Sequence, residues 1–387
     1  MNVAILSLTS GYNFGGTLQT IALSRTLEKL GHDATVLDYW PTPPHNTPPW
    51  RGWGLQGKNR IENIRKRATE LRHLPQFETK YDAFKADELR WSERCLDGIS
   101  LRHMVAEFDA VVVGSDQVWN LSYHPDPNYY LAACDDFTGL RISYAACCGN
   151  PAQECPDWAG EALRRFHHLG VRNPFTAQWV SRCAGESVAT KVVADPTLML
   201  DDYPTAELSL PDRYIAVYLI GNDKDTDHRG IVRQLRAKYG DLPVVCLMPT
   251  GFAISVRNWY DRILWNLDPY EWVTAIQNAS VVYTDSYHAA LFSMRKRIPF
   301  IATYVEELRA PRLVDLKVRY KLGASVQKAS SVMLSPNEPD WHAVETCWQG
   351  ERDLSMRFLK NAFGINPKEN HEPMEESTPD GSRIRIP

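Results

Sequence analysis

One histidine stands where a ligand would be expected on a parallel sheet. Residues 281–294 begin with β-branched residues typical of a buried strand and then turn through Asp285 and Ser286, which are both favourable helix N-caps. Apolar residues recur at helical spacing afterwards, so His288 falls in the first turn of a helix. Ligands bind at such strand ends in open α/β sheets.

The N-terminus of a helix offers free N–H groups and partial positive charge, which favour a bound anion. The same field disfavours imidazolium, so His288 is predicted to be neutral near pH 7 and to act as a base or proton donor. The alternative without function is a partly buried histidine that caps its own helix.

A second group of small and polar residues follows another apolar run. The segment GSDQVWN occupies 114–120. Asp116 and Gln117 can orient hydroxyl groups, and Trp119 can pack under a sugar or in the core. The simpler reading of Asp116 is a carboxylate that caps the following loop or helix.

The loop GYNFGG at 11–16 lies between a predicted strand and a predicted helix. Its glycines let a ligand approach the backbone and the helix N-terminus, which makes Asn13 and Gly15 candidate ligand contacts. The spacing is not GxGxxG, so no dinucleotide site is predicted. A tight turn is the plain alternative.

Two similar strand–helix series must position these residues. Residues 201–211 are polar with prolines at both ends, and they are the predicted domain boundary. The predicted fold is therefore α/β, with two domains at 1–203 and 204–365. The predicted strands are 2–8, 34–39, 108–113, 141–146, 214–220, 243–248, 281–284 and 299–304, and the predicted helices include 156–168, 227–239, 269–278, 309–317 and 341–363.

The composition excludes several classes of protein. A chain of 387 residues suits two domains, and 44% hydrophobic with 23% charged residues is ordinary for a soluble protein. The formal net charge of −4 gives no indication of nucleic-acid binding. No apolar run approaches the ~20 residues that span a bilayer. The first residues lack a basic leader, so they are read as a strand and not as a signal peptide.

The eight cysteines form no CxxC pair, and Cys147 and Cys148 are adjacent. We expect them to be reduced thiols of a cytoplasmic protein, and we expect no metal site. Residues 41–57 are rich in Pro, Gly and Trp and are predicted to form a long loop. Basic residues of the helix that follows suggest either a solvated face or a patch for an anionic acceptor or a membrane surface. Residues 366–387 are predicted to be disordered.

Several of these segments, taken in order, resemble the motifs of the polysaccharide pyruvyl transferases. The segments are GYNFGGTLQTIALSRTLEKLGH, FDAVVVGSDQVWN, ISYAACCG, VRN, ADPTLML and TDSYHAALFSMRKRIPFI. The resemblance covers most of 1–325. It implies two Rossmann-like domains facing across a cleft, similar to the GT-B glycosyltransferases. It also implies transfer from phosphoenolpyruvate to a sugar diol of a glycan or lipid-linked oligosaccharide, giving a cyclic pyruvate ketal and phosphate, without a cofactor.

The sequence departs from the resembling family at three places. Some branches have an arginine where this chain has Ser286, and another on the first strand of the second domain, where this chain has Leu219-Ile220-Gly221. Cys147 replaces a serine. The donor's phosphate and carboxylate must therefore be held elsewhere, for which arginines, helix N-termini and hydroxyls are suitable.

The resemblance assigns roles to the residues found above. His288 is the candidate for proton transfer to the donor and Asp116 for activating the acceptor hydroxyl. The candidate acceptor contacts are Asn13, Gly15, Gln117 and Trp119, and the candidate donor contacts are Ser286, Arg172, Arg309 and Arg312. Each arginine has a surface or ion-pair role as its alternative.

Two other functions remain open from the sequence. One is a nucleotide-sugar glycosyltransferase of GT-B type, because fold alone does not fix function. The other is an inactive carbohydrate-binding relative, suggested by the serine at 286. The expected location is the cytoplasm, with possible peripheral contact at the inner face of the membrane.

Overall fold

The computed structural model describes residues 1–41, 60–123, 125–221, 226–248, 259–306, 310–335 and 337–365, with side chains from residue 72 onward in the second range. The loop predicted at 41–57 therefore lies, except for its first residue, outside the described residues. Arg309, the basic side chains at 60–71 and the tail predicted at 366–387 lie outside them as well.

The first domain contains a seven-stranded parallel sheet. Its strands are β1 (Asn2–Leu6), β2 (Asp33–Tyr39), β3 (Trp91–Cys95), β4 (Ala110–Val113), β5 (Leu140–Ala146), β6 (His168–Val171) and β7 (Thr190–Val192). Its helices are α1 (Phe14–Lys29), α2 (Arg60–Glu88), α3 (Gly98–Val105), α4 (Asp157–Leu163) and α5 (Pro174–Ala184). The strand order is β3-β2-β1-β4-β5-β6-β7.

The second domain contains a six-stranded parallel sheet. Its strands are β8 (Ile215–Tyr218), β9 (Val244–Leu247), β10 (Arg262–Leu264), β11 (Val281–Thr284), β12 (Phe300–Tyr304) and β13 (Val326–Lys328). Its helices are α6 (His228–Tyr239), α7 (Pro269–Gln277), α8 (Tyr287–Arg295), α9 (Pro311–Arg319) and α10 (Trp341–Ala362). The strand order is β10-β9-β8-β11-β12-β13.

Both sheets reverse their strand order at the first strand of the domain. β1 lies between β2 and β4, and β8 lies between β9 and β11. Ligands bind beyond the carboxyl ends of strands at such a switch point. The prediction of an α/β fold with two Rossmann-like domains is confirmed, and the loops after β1, β4 and β11 are the places where a site is expected.

The domains pack directly against each other. One hydrophobic core runs through both of them. In that core the ring of Phe14 from the first domain stacks on Trp272 of the second, with centroids 5.5 Å apart. Tyr218 meets the same indole edge-on at 5.2 Å. These apolar contacts set how closely the strand ends of the two sheets approach.

Helix α10 begins on the second domain and ends on the first. Near its middle, Glu351 accepts a hydrogen bond from Tyr320 of the second domain at 2.6 Å. Farther along, the Ser355 hydroxyl accepts the Ala194 N–H at 2.7 Å, and just past its end Phe363 packs on His32 with centroids 4.2 Å apart. The predicted second domain, 204–365, includes all of α10, and the contacts of this helix reach both domains.

One pair of cysteines differs from the expectation that all eight are reduced. Cys155 and Cys183 form a disulfide, with Cα atoms 5.3 Å apart. It joins the segment before α4 to the end of α5, so the expectation that all eight cysteines are reduced is wrong for these two. The remaining six are free thiols, and five of them are buried.

Candidate functional site

His288 occupies the strand–turn–helix position that its sequence predicts. Ser286 is the N-cap of α8, and its hydroxyl accepts the Ala289 N–H at 3.4 Å. The turn before it is fixed because Asp285 accepts the backbone N–H groups of Ile220 and Gly221, both at 2.6 Å. His288 is the second residue of the helix and is only 6% exposed.

The first domain presents its own helix N-terminus to this histidine. Asn13 is exposed and is the N-cap of α1, where its side chain accepts the Gly16 N–H at 3.1 Å. Gly15 lies directly against His288, so that a Cβ at this position would overlap the imidazole Nδ1, Cγ and Cβ atoms. Glycine is therefore required because the two domains approach here. The starts of two helices, one from each domain, meet at His288.

Arg172, at the end of β6, is the central cation of the site and is 1% exposed. One terminal nitrogen donates to Asp116 at 2.9 Å and the other to Asp195 at 3.2 Å. Burial by itself lowers the pKa of Arg172, but neighbouring groups raise it well above its usual value. The guanidinium is permanently charged, and the two carboxylates fix its plane.

Asp116 lies in a short loop after β4, with a left-handed backbone (φ 66°). Its Oδ1 contacts Arg172 and also lies 3.5 Å from Nη1 of Arg312 in the second domain. Burial alone would raise the pKa of Asp116, but the attraction of Arg172, then of Arg312 and His288, lowers it overall. Asp116 is therefore ionised and joins one arginine from each domain.

Asp195 is a site residue that the sequence analysis did not single out. It is completely buried, and its Oδ1 accepts both the N–H and the hydroxyl of Thr197, at 3.0 and 2.7 Å. Its Oδ2 contacts Arg172 and lies 3.5 Å from Nε2 of His288. Burial alone would raise the pKa of Asp195, but His288, then Arg172 and the Thr197 bonds, hold it below its usual value.

Helix α9 brings two more cations from the second domain. Arg312 in its first turn reaches Asp116 and remains about a quarter exposed. Seven residues later on the same face, Arg319 donates two hydrogen bonds to the backbone carbonyl of Arg172, at 2.6 and 3.0 Å. The guanidinium carbons of Arg172 and Arg312 lie 5.1 and 5.9 Å from the ring centroid of Tyr287.

Two other predicted site residues, Gln117 and Trp119, make contacts of a different kind. Gln117 is half-buried, and its side-chain oxygen accepts a hydrogen bond from Asn120 at 2.9 Å. Trp119 is fully buried, stacks on Tyr130 at 5.6 Å and donates its N–H to the Tyr129 carbonyl. It therefore has no surface for a sugar, and the prediction that it contacts the acceptor is corrected to a core role.

One buried donor of the site lacks a partner. Nε of Arg172 makes no hydrogen bond with any described residue, whereas Nε2 of His288 lies 3.5 Å from a carboxylate oxygen of Asp195. A donor left without an acceptor in a protein interior is unfavourable by about 1–3 kcal/mol. Guanidinium and imidazole donors together with two helix N-termini are the groups that bind a small anion.

No group of three metal-ligating side chains occurs in the part of the chain that the structure describes. Across the same residues, every helix is too short or too polar to cross a membrane.

Comparison with solved structures shows the overall fold. The Staphylococcus aureus MnaA–UDP co-structure aligns over 95% of this chain and 98% of its own, with 10% identity and a TM-score of 0.50. A UDP-N-acetylglucosamine 2-epimerase from Rickettsia bellii covers 94% and 95%, with 11% identity and a TM-score of 0.49. Arabidopsis thaliana UGT89C1 complexed with UDP covers 95% and 96%, with 12% identity and a TM-score of 0.43. At 10% identity the first of these alignments shows the fold alone, and that fold is GT-B-like.

Comparison by sequence gives the family. A search of curated proteins finds no match. Residues 13–307 match the model of a family described as polysaccharide pyruvyl transferase. That range is most of the chain and includes α1, Asp116, Arg172, Asp195 and His288. The chain therefore belongs to the polysaccharide pyruvyl transferase family.

Proposed function

We propose that this protein transfers the pyruvyl group of phosphoenolpyruvate to two hydroxyl groups of a sugar, and releases phosphate. The observation that supports this most is the convergence of His288 and Arg312 of the second domain on Arg172 of the first. Phosphoenolpyruvate carries a phosphate and a carboxylate, so it needs several fixed cations in a site that excludes water. Family membership supports a transferase with a glycan acceptor.

The donor is proposed to bind between the two domains. Arg172 and Arg312 supply positive charge, while the free N–H groups at the start of α8, near Ser286, suit one of the two anionic groups. Arg309 stays a proposed donor contact that lies outside the described residues. Because Arg312 is partly exposed and Arg172 is not, the accessible group Arg312 is the first contact proposed for an incoming anion.

The proposed reaction begins with a proton from His288 to the methylene carbon of the donor. The central carbon then takes up one sugar hydroxyl, and the bond from this carbon to the phosphate oxygen breaks as the second hydroxyl closes the ring. One hydroxyl proton replaces the proton that His288 gave, and the other leaves with phosphate. Positioned acid–base groups of this kind contribute about 10²–10⁴ in rate.

Asp116 is proposed to orient the acceptor hydroxyl. Its lowered pKa makes it a weak base, so we expect orientation to be its larger contribution. Asn13, Gly15 and Gln117 are the proposed acceptor side, and Gly15 also gives room to the imidazole of His288. The proposed acceptor is a glycan or its lipid-linked precursor, and contact with a membrane surface stays a prediction.

The decisive experiment measures phosphate release by the purified protein. Phosphoenolpyruvate is supplied with a panel of oligosaccharides, and UDP- and GDP-sugars are supplied in parallel reactions. We expect phosphate release that depends on the acceptor, together with a product heavier than the acceptor by one pyruvate less one water. Nucleotide release from a sugar nucleotide would instead favour the glycosyltransferase, and sugar binding without either release would favour an inactive relative.

A further inference from the structure

The ring of Tyr287 lies close to two arginines that come from different domains. The guanidinium carbon of Arg172 is 5.1 Å from the centre of its ring, and that of Arg312 is 5.9 Å away. The tyrosine is buried and is the first residue of α8, directly before His288. Its ring is thus in contact with the cations of the site and with the helix start that is proposed to bind the donor.

Two guanidinium groups that share one carboxylate oxygen repel each other. Both lie within 3.5 Å of Oδ1 of Asp116. An aromatic face attracts cations within about 6 Å, and the attraction is strongest where water is excluded. The ring of Tyr287 therefore provides a second, uncharged surface that holds both guanidinium groups near each other.

We propose that Tyr287 is a positioning residue for phosphoenolpyruvate, through its effect on Arg172 and Arg312. The ring keeps the two guanidinium groups close enough to bind one small anion between the domains, whereas Asp116 alone leaves Arg312 free to extend into solvent. The proposed positioning effect depends on the aromatic ring of Tyr287 and not on its hydroxyl group. This inference rests on the proposed function.

The test compares Tyr287→Leu, which removes the ring, with Tyr287→Phe, which keeps it. Binding of phosphoenolpyruvate is measured by calorimetry at low salt, and KM and kcat are measured by phosphate release. We expect Tyr287→Leu to weaken binding and raise KM by about thirtyfold, the size of a desolvated cation–π contact, with a smaller change in kcat. Tyr287→Phe should bind within about twofold of the unchanged protein.

Tyr270→Leu is the matched control. Tyr270 is also largely buried and lies 6.0 Å from the guanidinium of Arg25, and among the described residues its ring has no cation–π contact with Arg172 or Arg312. We expect its thermal unfolding midpoint to fall without a change in donor affinity. If Tyr287→Leu lowers the unfolding midpoint and leaves affinity and KM unchanged, or if Tyr287→Phe loses affinity as much as leucine does, the inference is overturned.

The two proposals can fail separately. If the unchanged protein does not bind phosphoenolpyruvate, the proposed function fails and this inference falls with it. If the unchanged protein binds the donor and Tyr287→Leu binds it equally well, the proposed function stands and the role of Tyr287 is refuted.

Discussion

Arg319 of the second domain holds the backbone carbonyl of Arg172 in the first with two hydrogen bonds, at 2.6 and 3.0 Å. The residue that carries the central charge is therefore fixed at both ends, since its side chain also contacts Asp116 and Asp195. A charge held this firmly needs little rearrangement when an anion arrives, and such preorganisation is a large part of electrostatic catalysis.

Replacing His288 by glutamine should remove proton transfer and keep donor binding. We expect turnover to fall by about 10²–10⁴ and the dissociation constant for phosphoenolpyruvate to change by only a few fold. Phosphate release and calorimetry measure the two quantities, and thermal unfolding checks the fold. Near-normal turnover by the folded variant would exclude His288 from proton transfer.

Gly15→Ala, a substitution in the first domain, should displace His288 of the second domain. The added methyl group overlaps the imidazole of His288, so the domains must separate or the histidine must rotate. We expect turnover to fall by at least about tenfold, because small displacements of a catalytic group are costly. Gly11→Ala is the control in the same loop, since a Cβ there meets no atom within 4 Å. Equal activity of the two variants would contradict the close approach.

Arg172→Met should destabilise the protein strongly near neutral pH. It leaves Asp116 and Asp195 buried without their cation, and breaking a buried ion pair in this way costs about 3–5 kcal/mol. Denaturant unfolding of both proteins at pH 7 measures the difference in the free energy of unfolding. A difference below 1 kcal/mol would show that the carboxylates find other partners.

The same comparison has a defined pH dependence. The pKa values of both carboxyl groups are lowered in the folded state, so their contribution is complete above the usual value of 3.8 and is lost as pH falls through the folded-state values. In Arg172→Met the raising effect of burial on both pKa values is opposed by fewer charges, so the carboxyl groups take up protons at higher pH than in the unchanged protein. The stability difference between the two proteins should therefore shrink as pH falls from 7. A difference that grows on acidification would reverse the sign and refute the assignment.

The disulfide predicts how many cysteines can react with an alkylating reagent. Unfolded, unreduced protein should take up an alkylating reagent at six of its eight cysteines, and prior reduction should expose the remaining two. Intact mass measures the uptake. Because the bond closes a loop with a sequence separation of 28, Cys183→Ala should lower the free energy of unfolding by about 2–4 kcal/mol under oxidising conditions. Reducing agent in both samples should remove that difference.

The second sheet was largely predictable from residue patterns. Strand β11 was predicted with its observed bounds, because Val281–Thr284 is a continuous run of β-branched and aromatic residues that is buried on both faces. Strand β3 was missed, because WSERC carries charged residues on an edge with two exposed positions. The predicted helix at 156–168 ends at Leu163, and its last residue begins β6, a strand of four residues.

The site shows where local patterns stop being informative. His288 and Asp116 could be found because each follows a strand. Asp195 is the N-cap of the short 3₁₀ helix Pro196–Leu198, and a capping aspartate carries no local sign of a further role. Its contacts with Arg172 and His288 arise from the packing of two domains, which no local pattern specifies. The prediction that Trp119 contacts the acceptor was wrong for a related reason. An aromatic residue beside a polar loop shows the same sequence pattern whether its side chain is buried or exposed.

The path of α10 makes the two halves inseparable by a single cut. A fragment that ends at residue 203 would lose Ser355, which satisfies the Ala194 N–H, and Phe363, which covers His32. It would therefore expose the partners of a helix that is encoded more than a hundred residues downstream. During synthesis, the surface of the first domain is complete only after α10 has been made.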